Sequence, residues 1–401
     1  MRLYKTLNFL NIKSAMQRLK IALVFPKYTT HGGTERFIYD FSQKLLEMGH
    51  EVHLVVGKIS VPVDKRIVVH KARVVRCGRF IKIISFLLSS RRILKKHRFD
   101  IVQGFGRTIK HDVFRAGGGC HKEYRKNVLR KIKNPAARYF KLYLPYQILL
   151  LYIEKKQFSR ENFKKIVAIS NQVKKELISN YRVPEKDIEV IYSGVDIDAF
   201  NPTNREKYLT VIRKRFDIKR HEKVILFLGT GFERKGLIFL MRAFATLSAA
   251  CPDTKLLVVG KDNAIKRYMQ HAEKLQIADR IIFTGQQSDV KMFYAAADIF
   301  VLPTLYEPFG SVCLEAMASG LPVITSRVAG ASEILEGMEH LVLEDPMDIE
   351  ELAGKIRLLL ADDAERANIA IAVRKIAERY TISNNAQRFV NLYQVILEHR
   401  V

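Results

Sequence analysis

The run Ile299-Phe-Val-Leu-Pro-Thr-Leu-Tyr-Glu307-Pro-Phe-Gly-Ser-Val-Cys-Leu-Glu315-Ala-Met-Ala-Ser-Gly320-Leu-Pro-Val-Ile-Thr325 reads as strand, loop, helix and strand in succession. Ile299–Leu302 is short and continuously apolar, as a strand covered on both faces requires. A helix is expected to open near Gly310, to stop at Gly320, and to be unable to pass Pro322. Val323–Thr325 then returns as a second strand. Strand, crossing helix and strand in so short a span is the repeating unit of a doubly wound parallel sheet.

The same rhythm continues outward in both directions. Val224–Leu228 predicts a strand, followed by Gly229-Thr-Gly and a helix from about Gly236; Lys255–Val259 and Ile281–Phe283 are further strands. Nearer the start, Ile21–Phe25 predicts a strand that leads through Gly32-Gly33 into a helix over Thr34–Met48, ending before Gly49. Val52–Val56, Asp100–Gln103 and Ile166–Ile169 follow as strands, the last passing into Ser170 as the N-cap of a helix over 172–180. Between the two series lies Ser193–Lys207, with Asp196, Asp198, Asn201 and Pro202. The fold class is therefore α/β, with two Rossmann-like doubly wound domains, 1–196 and 197–382, facing across a cleft. The final segment, 383–401, is read as a helix over 383–399 with Phe389, Leu392, Tyr393 and Ile396 on one face, packing back on the first domain.

Composition narrows the partners without choosing among them. The 401 residues are 48% hydrophobic and carry 68 Lys and Arg against 41 Asp and Glu, a formal charge of +27, so disorder is excluded and a polyanionic partner is expected. Nucleic acid, phosphorylated lipid, an anionic bilayer and nucleotide phosphates all satisfy that expectation. Cys77, Cys120, Cys251 and Cys313 show no paired or CxxC spacing and read as reduced thiols. Leu3–Leu10 is interrupted by Lys5, Thr6 and Asn8, so no secretory signal is read there; residues 1–15 are either a short basic amphipathic arm or an over-long start. No apolar run reaches the roughly 20 residues of a spanning helix.

The helix near Gly310 offers chemistry. Gly310 and Ser311 would present unpaired N–H groups at a positive helix end, a seat for phosphate. Ser311 and Glu315 are four apart and share a face, while Leu314, Met317 and Ala318 pack elsewhere. Glu315 can accept two hydrogen bonds from a ribose diol, as an acid does in dinucleotide sites. Glu307, on the preceding loop, would face a sugar.

The complete string resembles the Glu-x7-Glu signature of the family-four retaining glycosyltransferases, which have the GT-B fold. The resemblance runs along nearly the whole chain. Gly229-Thr-Gly-Phe-Glu-Arg234-Lys235-Gly236 is similar to the family's donor-diphosphate loop, in which Arg234 supplies a fork and Lys235 a point charge. His31-Gly32-Gly33-Thr34-Glu35-Arg36 resembles the first-domain loop, where Gly32 and Gly33 let backbone approach the donor phosphate. Tyr192-Ser-Gly-Val-Asp196 resembles the interdomain hinge, with Ser193 where the family has Asn. In Asp112-Val-Phe-Arg-Ala-Gly-Gly-Gly-Cys-His121, members of the lipopolysaccharide-core branch carry an acid where this chain has Gly118, so no acid acts there. His121 is instead expected to polarise or hydrogen-bond the transferred sugar.

The resemblance implies transfer of a hexose, glucose from UDP-glucose first and a related hexose second, to a lipopolysaccharide-core heptose or similar lipid-linked glycan. It implies same-face displacement without a metal ion or cofactor. The catalytic set would be His121, Arg234, Lys235 and Glu307, with Gly32, Gly33, Phe309, Gly310, Ser311 and Glu315 completing the donor site. Asp196-Ile-Asp198 has divalent-ion spacing but belongs to the hinge. The basic surplus concentrates at 122–156, where Lys122, Arg125, Lys126, Arg130, Lys131, Lys133, Arg138 and Lys141 interleave with Tyr124, Tyr139, Phe140 and Tyr143 ahead of apolar Leu142–Ile153. Each such cation near an anionic surface contributes about 1 kcal/mol at best, so this segment is expected to hold the first domain on the cytoplasmic face of a bacterial inner membrane. A nucleic-acid-binding protein would also use the charge, yet no zinc-finger spacing, RNP string or basic zipper is present. A nicotinamide-dependent oxidoreductase would need a Gly-x-Gly-x-x-Gly opening that neither half has.

Overall fold

A computed structural model of the chain describes residues 17–30, 32–75, 77–129, 134 and 144–399. The N-terminal arm over 1–15, His31, and the basic stretch from Arg130 to Tyr143 apart from Asn134 lie outside the described residues.

The first domain alternates β1 (Lys20–Tyr28), α1 (Gly33–Glu47), β2 (Glu51–Ile59), β3 (Val68–Lys71), α2 (Gly78–Lys96), β4 (Ile101–Phe105), β5 (Val113–Ala116), α3 (His121–Leu129), α4 (Pro145–Gln157), β6 (Lys165–Ala168), α5 (Asn171–Tyr181) and β7 (Ile188–Val190). Its seven strands are all parallel in the order β3-β2-β1-β4-β5-β6-β7. The continuous apolar runs have a direct physical cause: both faces of the sheet are covered. Leu23 and Leu54 sit opposite each other and pack with Phe41 and Leu45 of α1. Their neighbours Val24 and Val55 point the other way and meet Phe86 of α2.

The second domain repeats the plan with α6 (Asn204–Arg215), β8 (Lys223–Leu228), α7 (Leu237–Thr246), β9 (Thr254–Val259), α8 (Ile265–Lys274), β10 (Ile281–Gly285), α9 (Lys291–Ala296), β11 (Ile299–Leu302), α10 (Ser311–Ala318), β12 (Val323–Ser326), β13 (Val342–Leu343), α11 (Ile349–Ala361) and α12 (Asp363–Ala377), and α13 (Ile382–Glu398) follows it. The strand order β10-β9-β8-β11-β12-β13 is again wholly parallel and reverses between β8 and β11, as the first sheet does between β1 and β4. Open sheets bind ligands outside the carboxyl ends of their strands at such reversals.

The chain crosses between domains twice, side by side. Val195 N–H donates to Tyr380 O at 2.9 Å, and Ile382 N–H donates back to Val195 O at 3.0 Å. Beyond that crossing α13 lies on the first domain, where Phe389, Val390, Tyr393 and Ile396 join the cluster of Phe37, Phe41 and Leu45. The Phe389 and Phe41 rings are 5.0 Å apart, and the Tyr393 hydroxyl donates to Gln103 of β4. Four buried side chains of this size contribute about 1.5–3 kcal/mol each, enough to fasten a seventeen-residue helix.

The sequence reading assigned no helix to α2. Among its residues only Phe86 and Ser90 are buried, whereas Phe80, Ile81, Ile84 and Leu88 are exposed. No described helix is long and apolar enough to cross a membrane.

Candidate active site

Helices α1 and α10, one from each domain, start at the same crevice. Each opens on a glycine with a left-handed or positive-φ backbone, Gly32 at φ 107° and Gly310 at φ 93°, and neither cap has a side chain bonding the first turn. A side chain there would strain the backbone, and an Asp or Ser would occupy the amides itself. The result is two positive helix ends with N–H groups left for a ligand. The crevice measures ≈ 640 Å³ and is lined from the first domain by Gly32, Gly33, Thr34, Arg36 and Arg115, and from the second by Gly229, Arg234, Lys235, Glu307, Phe309, Gly310, Ser311 and Glu315.

The cations are held from beneath. Arg234 Nη1 and Lys235 Nζ both donate to Glu307 Oε2, at 2.6 and 2.8 Å, and Arg234 also reaches Tyr306 O at 2.9 Å. Burial alone would raise the Glu307 carboxyl, but Lys235 and then Arg234 pull it down to about 2. Lys235 is only 6% exposed, and its stem crosses the end of β8 directly against Gly229, where an added Cβ would stand 2.4 Å from Lys235 Cε. Glycine at 229 is therefore what lets the ammonium enter the crevice. In this arrangement Glu307 orders the two cations, a task in addition to the sugar-facing position read from sequence.

Glu315 stands on α10 one turn beyond Ser311. Its Oε2 accepts from Tyr294 Oη at 2.8 Å, and burial pushes the carboxyl up to about 7. Arg36, bonded to Asp40 at 2.7 Å, adds an attractive charge to it from the first domain. Asp196 is engaged in its own turn, accepting from Asp198 N–H and Ala199 N–H at 3.1 and 3.0 Å. No group of three or more metal-ligating side chains occurs among the described residues.

His121 lies apart from this set. It is not among the residues lining the crevice; its Nε2 meets Gln147 Oε1 at 2.8 Å and its ring stacks 5.8 Å from Tyr124, which does line it. Burial, then the Arg107 charge, lower the imidazole to about 4, so it is neutral at pH 7. Gly118 does line the crevice, and an added Cβ there meets nothing within 4 Å.

Several polar residues at the crevice and the domain contact were given no role in the sequence reading. Arg115 is 3% exposed, its guanidinium lies 3.7 Å over the Phe37 ring, and it donates to Ser193 Oγ at 3.0 Å; burial lowers it to about 9. No carboxylate pairs with it among the described residues, and its Nε is unsatisfied. The available signal was a lone charge inside the apolar run Val113–Ala116. Other polar groups fasten the two domains together. Tyr306 Oη donates to Glu176 Oε2 at 2.7 Å and accepts from Cys120 N–H at 3.1 Å, and Ser170 Oγ, the N-cap of α5, donates to Pro308 O at 2.7 Å. Glu333 of the second domain accepts from Asn171 N–H and Gln172 N–H at 2.7 and 2.8 Å, so it covers the start of α5 in the first.

Burial pushes Glu176 up to about 7. A carboxyl raised in the folded state favours folding fully below its unfolded value, near 4.5, and loses that contribution as pH rises through about 7. Glu176→Gln keeps an acceptor for Tyr306 without the charge. Its melting temperature relative to wild type is expected to climb by a few degrees between pH 5 and pH 8, on the order of 1–3 kcal/mol. The lowered His121 and His111 act oppositely in both proteins and cancel in the difference. A difference that stays flat across that range would remove the ionisation from the domain contact.

The family model "Glycosyltransferase Family 4" matches residues 31–199, and "Glycosyl transferases group 1" matches 210–376. The chain belongs to the family-four glycosyltransferases. Its two Rossmann-like domains are the GT-B fold of that family. A crystal structure of WaaG, a glycosyltransferase involved in lipopolysaccharide biosynthesis, superimposes with a TM-score of 0.80 over 93% of this chain and 99% of that one, at 22% identity. By sequence, the lipopolysaccharide glucosyltransferase WaaG of Escherichia coli K12 is 25% identical over 364 residues, 89% of this chain and 94% of that protein. An uncharacterized glycosyltransferase of Methanocaldococcus jannaschii is 30% identical over 237 residues; that match takes in 58% of this chain and only 60% of the relative. The Anabaena protein HepE, solved in complex with UDP and glucose, shares the fold at a TM-score of 0.71 and 17% identity, covering 94% of this chain and all of that one.

Proposed function

We propose that this glycosyltransferase moves glucose from UDP-glucose to a lipid-linked glycan, a lipopolysaccharide-core heptose or a close equivalent, with retention of anomeric configuration. The observation that carries the reading is the convergence of Arg234, Lys235 and the two uncapped helix starts on one crevice. Together they supply charge and N–H donors where a diphosphate leaves. Glu315 would take the ribose diol, and Glu307 would hold the cations in place while facing the sugar. The glucosyltransferase activity in the name of E. coli WaaG, and UDP and glucose in HepE, support the donor.

The chemistry follows from where negative charge grows. As the anomeric C–O bond to phosphate breaks, the sugar becomes oxocarbenium-like and the diphosphate gains charge, which Arg234, Lys235 and the amides of 309–311 stabilise. The acceptor hydroxyl attacks from the face the phosphate leaves, forms the new glycosidic bond, and passes its proton to the departing phosphate oxygen. No protein carboxylate needs to become a covalent nucleophile, unlike the paired acids of retaining glycosidases. The reading calls for no metal ion or other cofactor.

A panel of nucleotide sugars tests the donor. UDP-glucose is expected to raise the melting temperature and to be hydrolysed slowly without acceptor; preference for UDP-galactose or another hexose would change the sugar, and no response to any member would end the reading. Attachment to the inner face of the cytoplasmic membrane is proposed through residues 122–156. Ile148 and Tyr152 of α4, 52% and 58% exposed, support it. Replacing Lys122, Arg125, Lys126, Arg130 and Lys131 by glutamine is expected to weaken flotation with anionic vesicles, and flotation unaffected by these changes would remove the segment from the membrane contact.

A further inference from the structure

Four cations line the donor crevice, and three of them have a carboxylate in reach: Arg36 has Asp40, and Arg234 and Lys235 share Glu307. Arg115 has none among the described residues. It sits in β5 among Val113, Phe114 and Ala116, which are buried as the sheet demands, and is itself 3% exposed. Its one described hydrogen bond goes to Ser193 Oγ at 3.0 Å, its Nε has no partner, and one face of the guanidinium is covered by the Phe37 ring. The other acids of the crevice wall are turned elsewhere. Asp196 accepts within its own turn, Glu315 meets Tyr294, and Glu35 folds over Gly32. A buried charge without a counter-charge is costly, so a guanidinium kept in this state at the edge of a ligand crevice lacks an anion that a ligand can bring.

Two glycines open the wall at this point. A Cβ at Gly117 would collide with Arg115 Nη1, so a glycine there is what lets the guanidinium reach the crevice. The same Cβ would stand 3.5 Å from Thr34 Oγ1, which brings the first turn of α1 to the other side of the spot. At Gly118 a Cβ would meet nothing within 4 Å, so next to the guanidinium there is room for a group that the protein does not supply. Burial is the only influence on the basicity of Arg115; Arg234, Lys235 and Glu307 add nothing to it. The guanidinium therefore shares the crevice with the leaving-group cations but stands outside their electrostatic reach.

We propose that Arg115 is a carboxylate subsite at the sugar end of the donor, and that nucleotide-linked hexuronates, which carry a carboxylate at C6, are donors here alongside glucose. The proposal rests on the nucleotide-sugar reading above and adds a second donor class to the same crevice. The diphosphate has Arg234 and Lys235 for its charge, so the anion that meets an isolated guanidinium belongs to another part of the ligand. A planar guanidinium matches a carboxylate with charge-assisted hydrogen bonds, whereas the hydroxymethyl group of glucose offers it a dipole alone. Transfer balances as it does for glucose. The bond from the anomeric carbon to the phosphate oxygen breaks, the bond to the acceptor oxygen forms, the acceptor's proton leaves on the phosphate, and the carboxylate is carried through unchanged.

The test uses the full chain with UDP, UDP-glucose, UDP-glucuronate and UDP-galacturonate, reading dissociation constants by titration and turnover by release of UDP. Wild type is expected to bind at least one hexuronate as tightly as UDP-glucose, or more tightly, and to turn it over. Arg115→Gln should lower the preference for that hexuronate over UDP-glucose, taken as the ratio of the two dissociation constants, at least about ten-fold, as loss of a charge-assisted hydrogen bond does. Gly118→Asp, which sets an acid in the open space near the guanidinium, should lower the same ratio, and it decides the matter if Arg115→Gln fails to fold. A ratio unchanged in the folded variants would make Arg115 a strut between β5 and Ser193 and overturn the proposal. Hexuronates that bind wild type no better than UDP alone would overturn it too, and would leave the glucose reading standing. Equal weakening of UDP, UDP-glucose and the hexuronates by Arg115→Gln would assign the guanidinium to the diphosphate, with the same consequence. No response of wild type to UDP or to any of the sugars would instead remove the nucleotide-sugar reading, and this proposal with it.

Discussion

Replacing Lys235 or Arg234 by alanine is expected to lower turnover by a factor on the order of 10²–10³, equivalent to roughly 3 kcal/mol of transition-state stabilisation. The size follows from placement. Lys235 is 6% exposed and fixed between the Glu307 carboxylate and the backbone at Gly229, so its charge is already aimed and little reorganisation accompanies the reaction. Water cannot screen it as it would a surface lysine. Arg234 is anchored at two points, Glu307 and Tyr306 O, which orients its remaining N–H groups. Either substitution leaves Glu307 with one partner, so folding should persist. Turnover with UDP-glucose, measured beside a melting curve, checks both halves; wild-type turnover in either variant would remove these cations from the leaving-group site. A loss seen equally in kcat and kcat/KM marks an interaction made in the transition state, whereas a change confined to KM marks uniform binding.

How far the sequence carried depends on which physical signal each feature needs. The central strands were legible because burial on both faces leaves continuous apolar runs: Ile21–Phe25, Val224–Leu228 and Ile299–Leu302 all stand inside observed strands. The edge strand β3 was not, since Val68 and Val69 are half-exposed and the strand borrows its register from β2. Helix α2 escaped for a related reason: apolar residues spread around much of its circumference erase the one-sided pattern that marks a helix packed on a sheet. In the crevice, glycines and adjacent cations after a strand gave local motifs, so Gly32, Gly33, Arg234, Lys235 and Gly310 could be named in advance. Arg115, Glu176 and Glu333 could not. Each acts through a partner 78 to 162 positions away, a relation that no local spacing encodes. His121 stands one layer back: its ring meets Gln147 and stacks on Tyr124, which lines the crevice, while His121 is not itself among the lining residues.

Glu307→Gln is expected to destabilise the ligand-free protein by about 3–5 kcal/mol, the cost of leaving buried charge without its partner. The carboxylate is the shared acceptor of two cations, and with an amide in its place Arg234 and Lys235 would face each other across a few ångströms of low dielectric. UDP should recover much of this loss, because its diphosphate supplies negative charge to the same two groups. The melting-temperature rise on adding UDP is therefore expected to be larger in the variant than in wild type, even as turnover falls. The pH dependence separates this effect from the one at Glu176. Glu307 is held near 2 in the fold, so its contribution is fully present above about 4.5 and is lost only as pH falls toward 2; the stability gap should be level from pH 6 to pH 8. The gap for Glu176→Gln should change across that same interval. A Glu307→Gln protein with wild-type stability and an unchanged response to UDP would mean that the carboxylate does not hold the cations, and that their alignment comes from the backbone around Gly229 and Tyr306 alone.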